Sequence, residues 1–92
     1  MSARMDRLEF YRELNFGDLT PGDWRWRYVA ANGHILAGSS EGYRRRIDAV
    51  RCAARVLALS AAYLNEAVAL SAGGSHVLSS RVKTPIRVVV TP

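Results

Sequence analysis

Ninety-two residues make one domain with a thin core, because a chain of this length buries only about 60–65% of its unfolded surface. An apolar share of 49% and a charged share of 23% are ordinary for a globular chain and exclude disorder as its main state. The net charge of +5 is almost all arginine, which suits phosphate and carboxylate contacts; arginine is also inflated in proteins from GC-rich genomes, so the charge permits an anionic partner without requiring one. A single cysteine, Cys52, excludes an internal disulfide and fits a reducing cytoplasm, the expected location. The opening "MSARMDRLEFYREL" has no apolar core of signal-peptide length. No apolar run approaches the roughly 18 residues of a membrane span, so no membrane partner is expected.

In chain order, "RLEFYRE" at 7–13 alternates weakly and reads as a short strand. Residues 15–23, "NFGDLTPGD", read as a loop. Residues 24–30 form a second strand, in which Trp24, Trp26 and Tyr28 alternate with Arg25 and Arg27. Asn32-Gly33 predicts a two-residue type I′ turn, and "HILAGS" at 34–39 returns as a third strand. That turn places Ala30 opposite Ile35 and Tyr28 opposite Ala37. The core face then carries Trp24, Trp26, Tyr28, Ala30, Ile35 and Ala37. The other face carries Arg25, Arg27, Val29, His34 and Leu36.

From Tyr43 to Ala72 there is neither Gly nor Pro. Ile47, Val50, Ala54, Leu57, Ala61, Leu64 and Val68 recur at helical spacing, with Arg44, Arg46, Asp48, Arg51 and Arg55 on the outer side. A continuous helix over 45–70 would be about 39 Å long. That is long for so small a body, so a break near Ser60 is the alternative. Gly73-Gly74 ends the pattern, residues 75–85 read as loop, and "IRVVV" at 86–90 is a strand by its β-branched content.

The stretch "WRWRYVAANGHILAGSSEGY", with "RRRIDAVRCAARV" after it, resembles the signature of the YegP-like family, a domain of unknown cellular role. The motif residues are Trp24, Trp26, Asn32, Gly33, Glu41, Gly42 and Tyr43, and the similarity runs over roughly residues 7–57. The resemblance implies an α+β fold, a β3-α-β unit with an antiparallel sheet and a helix on one face. It also implies a homodimer whose copies exchange their last strands to make one continuous sheet. Residues 1–92 are then a single domain, in which 58–84 form an insertion (helical 58–72, loop 73–85) before the strand 86–90. Arg44-Arg45-Arg46 stand where the family often has a small Ser or Thr helix cap.

No catalytic constellation is present. His34, His76 and Cys52 lack the spacing of a metal site, and no cofactor is expected. The carboxylates form no close pair in an apolar setting, and Gly73-Gly74-Ser75 lacks the Lys-Ser/Thr of a phosphate loop. The chain is therefore expected not to be an enzyme. Glu41-Gly42-Tyr43 reads as a structural corner, with Gly for an unusual backbone angle. One surface stands out: Tyr11, Arg25, Arg27 and His34 would share the sheet face away from the helix, an outline suited to nucleic acid or another polyanion. Arginines 44, 45, 46, 51 and 55 make a second basic strip. A homodimeric interaction or structural module is the favoured reading, and a weak, sequence-indifferent polyanion binder is the second.

Overall fold

The computed structural model describes residues 5–14, 17, 20–39, 41–71, 74–78 and 85–91. Five strands and two helices follow one another as β1 (Asp6–Leu14), β2 (Pro21–Val29), β3 (Ile35–Gly38), α1 (Arg46–Val56), α2 (Ala61–Leu70), β4 (Ser75–Leu78) and β5 (Ile86–Val90). The strands form one sheet in the order β3-β2-β1-β5-β4. The α+β class holds, but the sheet is mixed rather than antiparallel: β5 lies parallel to β1, with Leu8 beside Val88 and Phe10 beside Val90. A parallel neighbour needs a long crossover, and the two helices supply it.

The alternation of β1 and β2 sorts the two faces as expected. Phe10 pairs with Trp26 and Leu8 with Tyr28. Leu8, Phe10 and Trp26 are buried together with Val88 and Val90 of β5, Ala49, Val50, Ala53 and Ala54 of α1, and Leu64, Ala67 and Val68 of α2. The alanines of α1 are small enough to bring the helix close to the aromatic strand pair.

Four local expectations are corrected. β2 begins at Pro21, inside the segment read as loop, because β1 runs on to Leu14 and pairs with it. The hairpin is not a two-residue type I′ turn. Gly33 has φ +92°, but Asn32 does not have a positive φ. The Gly33 N–H donates to the Ala30 carbonyl, and the Ala30 N–H to the His34 carbonyl, so the loop holds three residues. Ile35 therefore faces Val29, and the register slips before Tyr28 meets Ala37. Ile35, expected in the core, is 62% exposed at the sheet edge; Val29 stays opposite Arg7 in the alternation of β2 and is 3% exposed, outside the main core cluster. Lastly, the segment 73–85, read as loop, contains β4. Its pairing with β5 is a tertiary gain that the four residues "SHVL" do not announce by themselves.

The helical stretch breaks just before Ser60. Ala58 takes a left-handed conformation, φ +56°. The Leu59 N–H reaches the Ala54 carbonyl and the Ala58 N–H the Arg55 carbonyl, a Schellman ending without glycine. Ser60 then caps α2, its hydroxyl accepting from the Tyr63 N–H at 3.3 Å. The start of α1 has no such cap: Arg45 occupies the N-cap position and makes no side-chain capping bond.

Candidate interaction surfaces

The open face of the sheet collects the outward residues of β1 and β2. Tyr11 pairs with Arg25 and Glu9 with Arg27 across the ladder, so three of the four residues expected on an anion-binding surface do share one face. His34 does not join them. It is exposed in the hairpin loop, where its N–H donates to Asn32 Oδ1 at 3.0 Å.

The arginines on this face are already engaged. Arg25 Nε lies 2.8 Å from Glu13 Oε2. Arg27 is ion-paired with Glu9 and also sits over the Tyr11 ring, 5.1 Å from its centroid. Arg7 donates to the same Glu9 at 3.0 Å. Burial pushes the Glu9 carboxyl up, but hydrogen bonds from Arg27 and Arg7 and their charges outweigh it and leave its pKa below the ordinary value. A cross-strand Glu9–arginine pair was legible in the sequence. Arg7 joins Glu9 from two residues back along the same strand, and Glu13 reaches Arg25 from the irregular end of β1.

The hairpin is tied down by a residue whose role the sequence did not announce. Asp6 accepts from the Tyr28 hydroxyl at 2.6 Å and from the Ala31 N–H at 2.8 Å. Burial, and then the bond to Asp6, push the Tyr28 phenol up to about 12.

The Glu41-Gly42-Tyr43 corner is held by backbone and by close approach. Trp24 and Tyr43 exchange backbone hydrogen bonds of 2.6 and 2.8 Å. Gly42 is needed for space rather than for an unusual angle: a Cβ there would lie 2.5 Å from the Asp23 Cβ. Tyr43 packs against the core as a wedge. The neighbouring Cys52 thiol, and then burial, hold the Tyr43 phenol up at about 12.

Beyond the corner lies the outer side of α1. Arg44, Arg45, Arg51 and Arg55 are exposed and Arg46 half-buried. Asp48 serves both Arg45, at 3.1 Å, and Arg51, at 3.9 Å. Tyr43, Asp48, Arg51, Cys52 and Arg55 line a recess of about 340 Å³. A smaller recess of about 230 Å³ lies between the helices, bounded by Ile47, Val50, Arg51, Ala61, Ala62 and Asn65. Among the described residues no group of three or more His, Cys, Asp or Glu could hold a metal ion, and no helix is long and apolar enough to cross a membrane.

Residues 20–62 match the family model described as "Domain of unknown function (DUF1508)". The matched segment spans β2, the hairpin, β3, the corner and α1, and stops at the start of α2. No curated protein and no solved structure matches the chain.

Proposed function

We propose, from the premise that residues 20–62 carry a YegP-like domain, that the chain works as a homodimeric interaction module in which two copies join their sheets through β3. The observation that carries this reading is the state of the β3 edge. β3 ends the sheet order, and its Ile35 and Leu36 are 62% and 63% exposed. An edge strand offers unpaired backbone groups, and natural sheets usually guard such edges with charge, proline or cover. This edge carries two large apolar side chains instead. A twofold pairing of β3 with β3 would bury both residues twice over and make one sheet of ten strands, with every helix on the same side.

A second way of joining copies follows from the position of β5. It is inserted between β1 and β4 in its own chain. Exchange of the C-terminal strand, which the family resemblance implies, would keep the same β1–β5 ladder with the strand supplied by the other copy.

The sheet-face polyanion reading draws less support, since Arg25 and Arg27 are each committed to a carboxylate. An incoming phosphate would have to displace Glu13 or Glu9.

Light scattering coupled to gel filtration tests the module. A chain of 10.2 kDa should elute with a mass of about 20 kDa, and Ile35→Lys should return it to the mass of one chain. A monomeric wild type would overturn the dimer. A dimer unaffected by Ile35→Lys would assign it to strand exchange instead of β3.

A further inference from the structure

The chain's positive charge is not spread evenly. Residues 44–55 hold five arginines against one aspartate, so most of the net +5 sits at the start and along the outer side of one helix. This is a different surface from the sheet face. On the sheet face each arginine of β2 has its own carboxylate partner. On α1, Asp48 is shared between Arg45 and Arg51, whose side chains remain 71% and 64% exposed. Among the described residues no carboxylate pairs with Arg44, Arg46 or Arg55.

The geometry fits a phosphodiester backbone. Arg51 and Arg55 stand one helical turn apart, about 6 Å along the axis, close to the spacing of successive phosphates in an extended single strand. Both line the 340 Å³ recess, together with Tyr43, Asp48 and Cys52. A volume of this size is in the range that admits one nucleotide-sized group. Guanidinium groups that follow the backbone and an aromatic ring beside them are the elements of sequence-tolerant single-strand binding. A rigid duplex would present its bases stacked away from the Tyr43 recess and would use only the arginines.

We infer that the outer side of α1, through Arg51 and Arg55 with the Tyr43 recess and with Arg44 and Arg45 at its start, docks single-stranded nucleic acid by its phosphate backbone, without base specificity. Its arginines lie on or just before α1 and not on β3, so its occupation and the dimer are read by separate experiments.

The test is fluorescence anisotropy with labelled 12-nucleotide oligo-dT and oligo-U, and with a duplex of mixed sequence, at 20 mM and 200 mM salt. Arg51→Ala/Arg55→Ala should weaken single-strand binding at least tenfold at low salt and flatten the slope of log affinity against log salt by about 0.7 for each phosphate contact removed. Arg51→Lys/Arg55→Lys, which keeps the charge, should retain most of the affinity. Arg25→Ala/Arg27→Ala should change it less than threefold. Circular dichroism on each variant checks that the fold is kept, as expected for exposed positions. The proposal is overturned by no binding at tens of micromolar in 20 mM salt. It is equally overturned by an Arg51/Arg55 variant that binds like wild type, by loss confined to the Arg25/Arg27 variant, or by a duplex that binds as tightly as the single strand.

Discussion

Asp6 at the start of β1 holds Tyr28 at the end of β2: the Tyr28 hydroxyl donates to Asp6 Oδ2 at 2.6 Å, while Asp6 Oδ1 accepts from the Ala31 N–H in the hairpin loop. One carboxylate thus joins two strands and a turn. The phenol of Tyr28, raised from 10.0 to about 12 by burial and by this bond, gives the clamp a pH signature. A folded-state pKa above the unfolded value means that the folded chain holds the proton more tightly. The stabilisation is complete below about pH 10 and is lost as pH rises from 10 through 12. Urea unfolding between pH 9 and 12 should show this decline, and Tyr28→Phe should be less stable at neutral pH yet decline less steeply. Parallel curves for the two proteins would remove the role assigned to Tyr28.

The two sides of β2 should respond differently to truncation. Trp26 is 1% exposed and packed in the main core cluster. Trp26→Ala should cost about 3–5 kcal/mol. Arg27 lies on the open face, its side chain 45% exposed, and Arg27→Ala should cost less than about 1 kcal/mol. Denaturant titration of the two variants reads the difference directly, and equal midpoints would mean that the faces are wrongly assigned.

That assignment shows where the sequence was legible. Strict alternation in "WRWRY" placed Trp26 inside and Arg25 and Arg27 outside, because a strand has a period of two and one side is covered by helix. The same rule failed at Ile35, because the hairpin loop holds three residues instead of two and sets Ile35 opposite Val29 rather than Ala30. Val29 keeps the alternation of β2 opposite Arg7, and only its burial, outside the main core cluster, was unexpected. β4 was missed because its stability comes from β5, a partner distant in sequence. The parallel placement of β5 was likewise a matter of topology and not of local pattern. Of the surface residues, Tyr11, Arg25 and Arg27 were brought together as the alternation implied, and His34 was left apart by the loop. Glu9 was expected to pair with an arginine across the strands, whereas the pairing of Glu13 with Arg25 became apparent only in the structure. The concentration of arginine on α1 was visible in the sequence, but its contrast with the compensated sheet face required the ion pairs.

The corner offers a steric prediction. The Gly42 Cα faces the Asp23 side chain so closely that an added methyl would meet its Cβ, Oδ2 and Cγ at 2.5, 2.9 and 3.1 Å. Gly42→Ala should destabilise the chain by about 1–3 kcal/mol, since overpacking against a near-backbone atom forces the strand or the corner to shift. Adding Asp23→Gly should recover much of the loss. If thermal unfolding shows the double variant to be no better than Gly42→Ala alone, the close approach is not what requires glycine.

The central claim is that β3 is the joining edge, and amide hydrogen exchange measured over a range of protein concentrations tests it most directly. β3 and β4 both end the sheet, so in a lone chain both should exchange quickly. The account predicts that β3 amides become protected as concentration rises while β4 amides stay fast, and that Ile35→Lys abolishes the change. Protection of β3 that is independent of concentration, or a concentration-dependent change seen at β4 and not at β3, would contradict it.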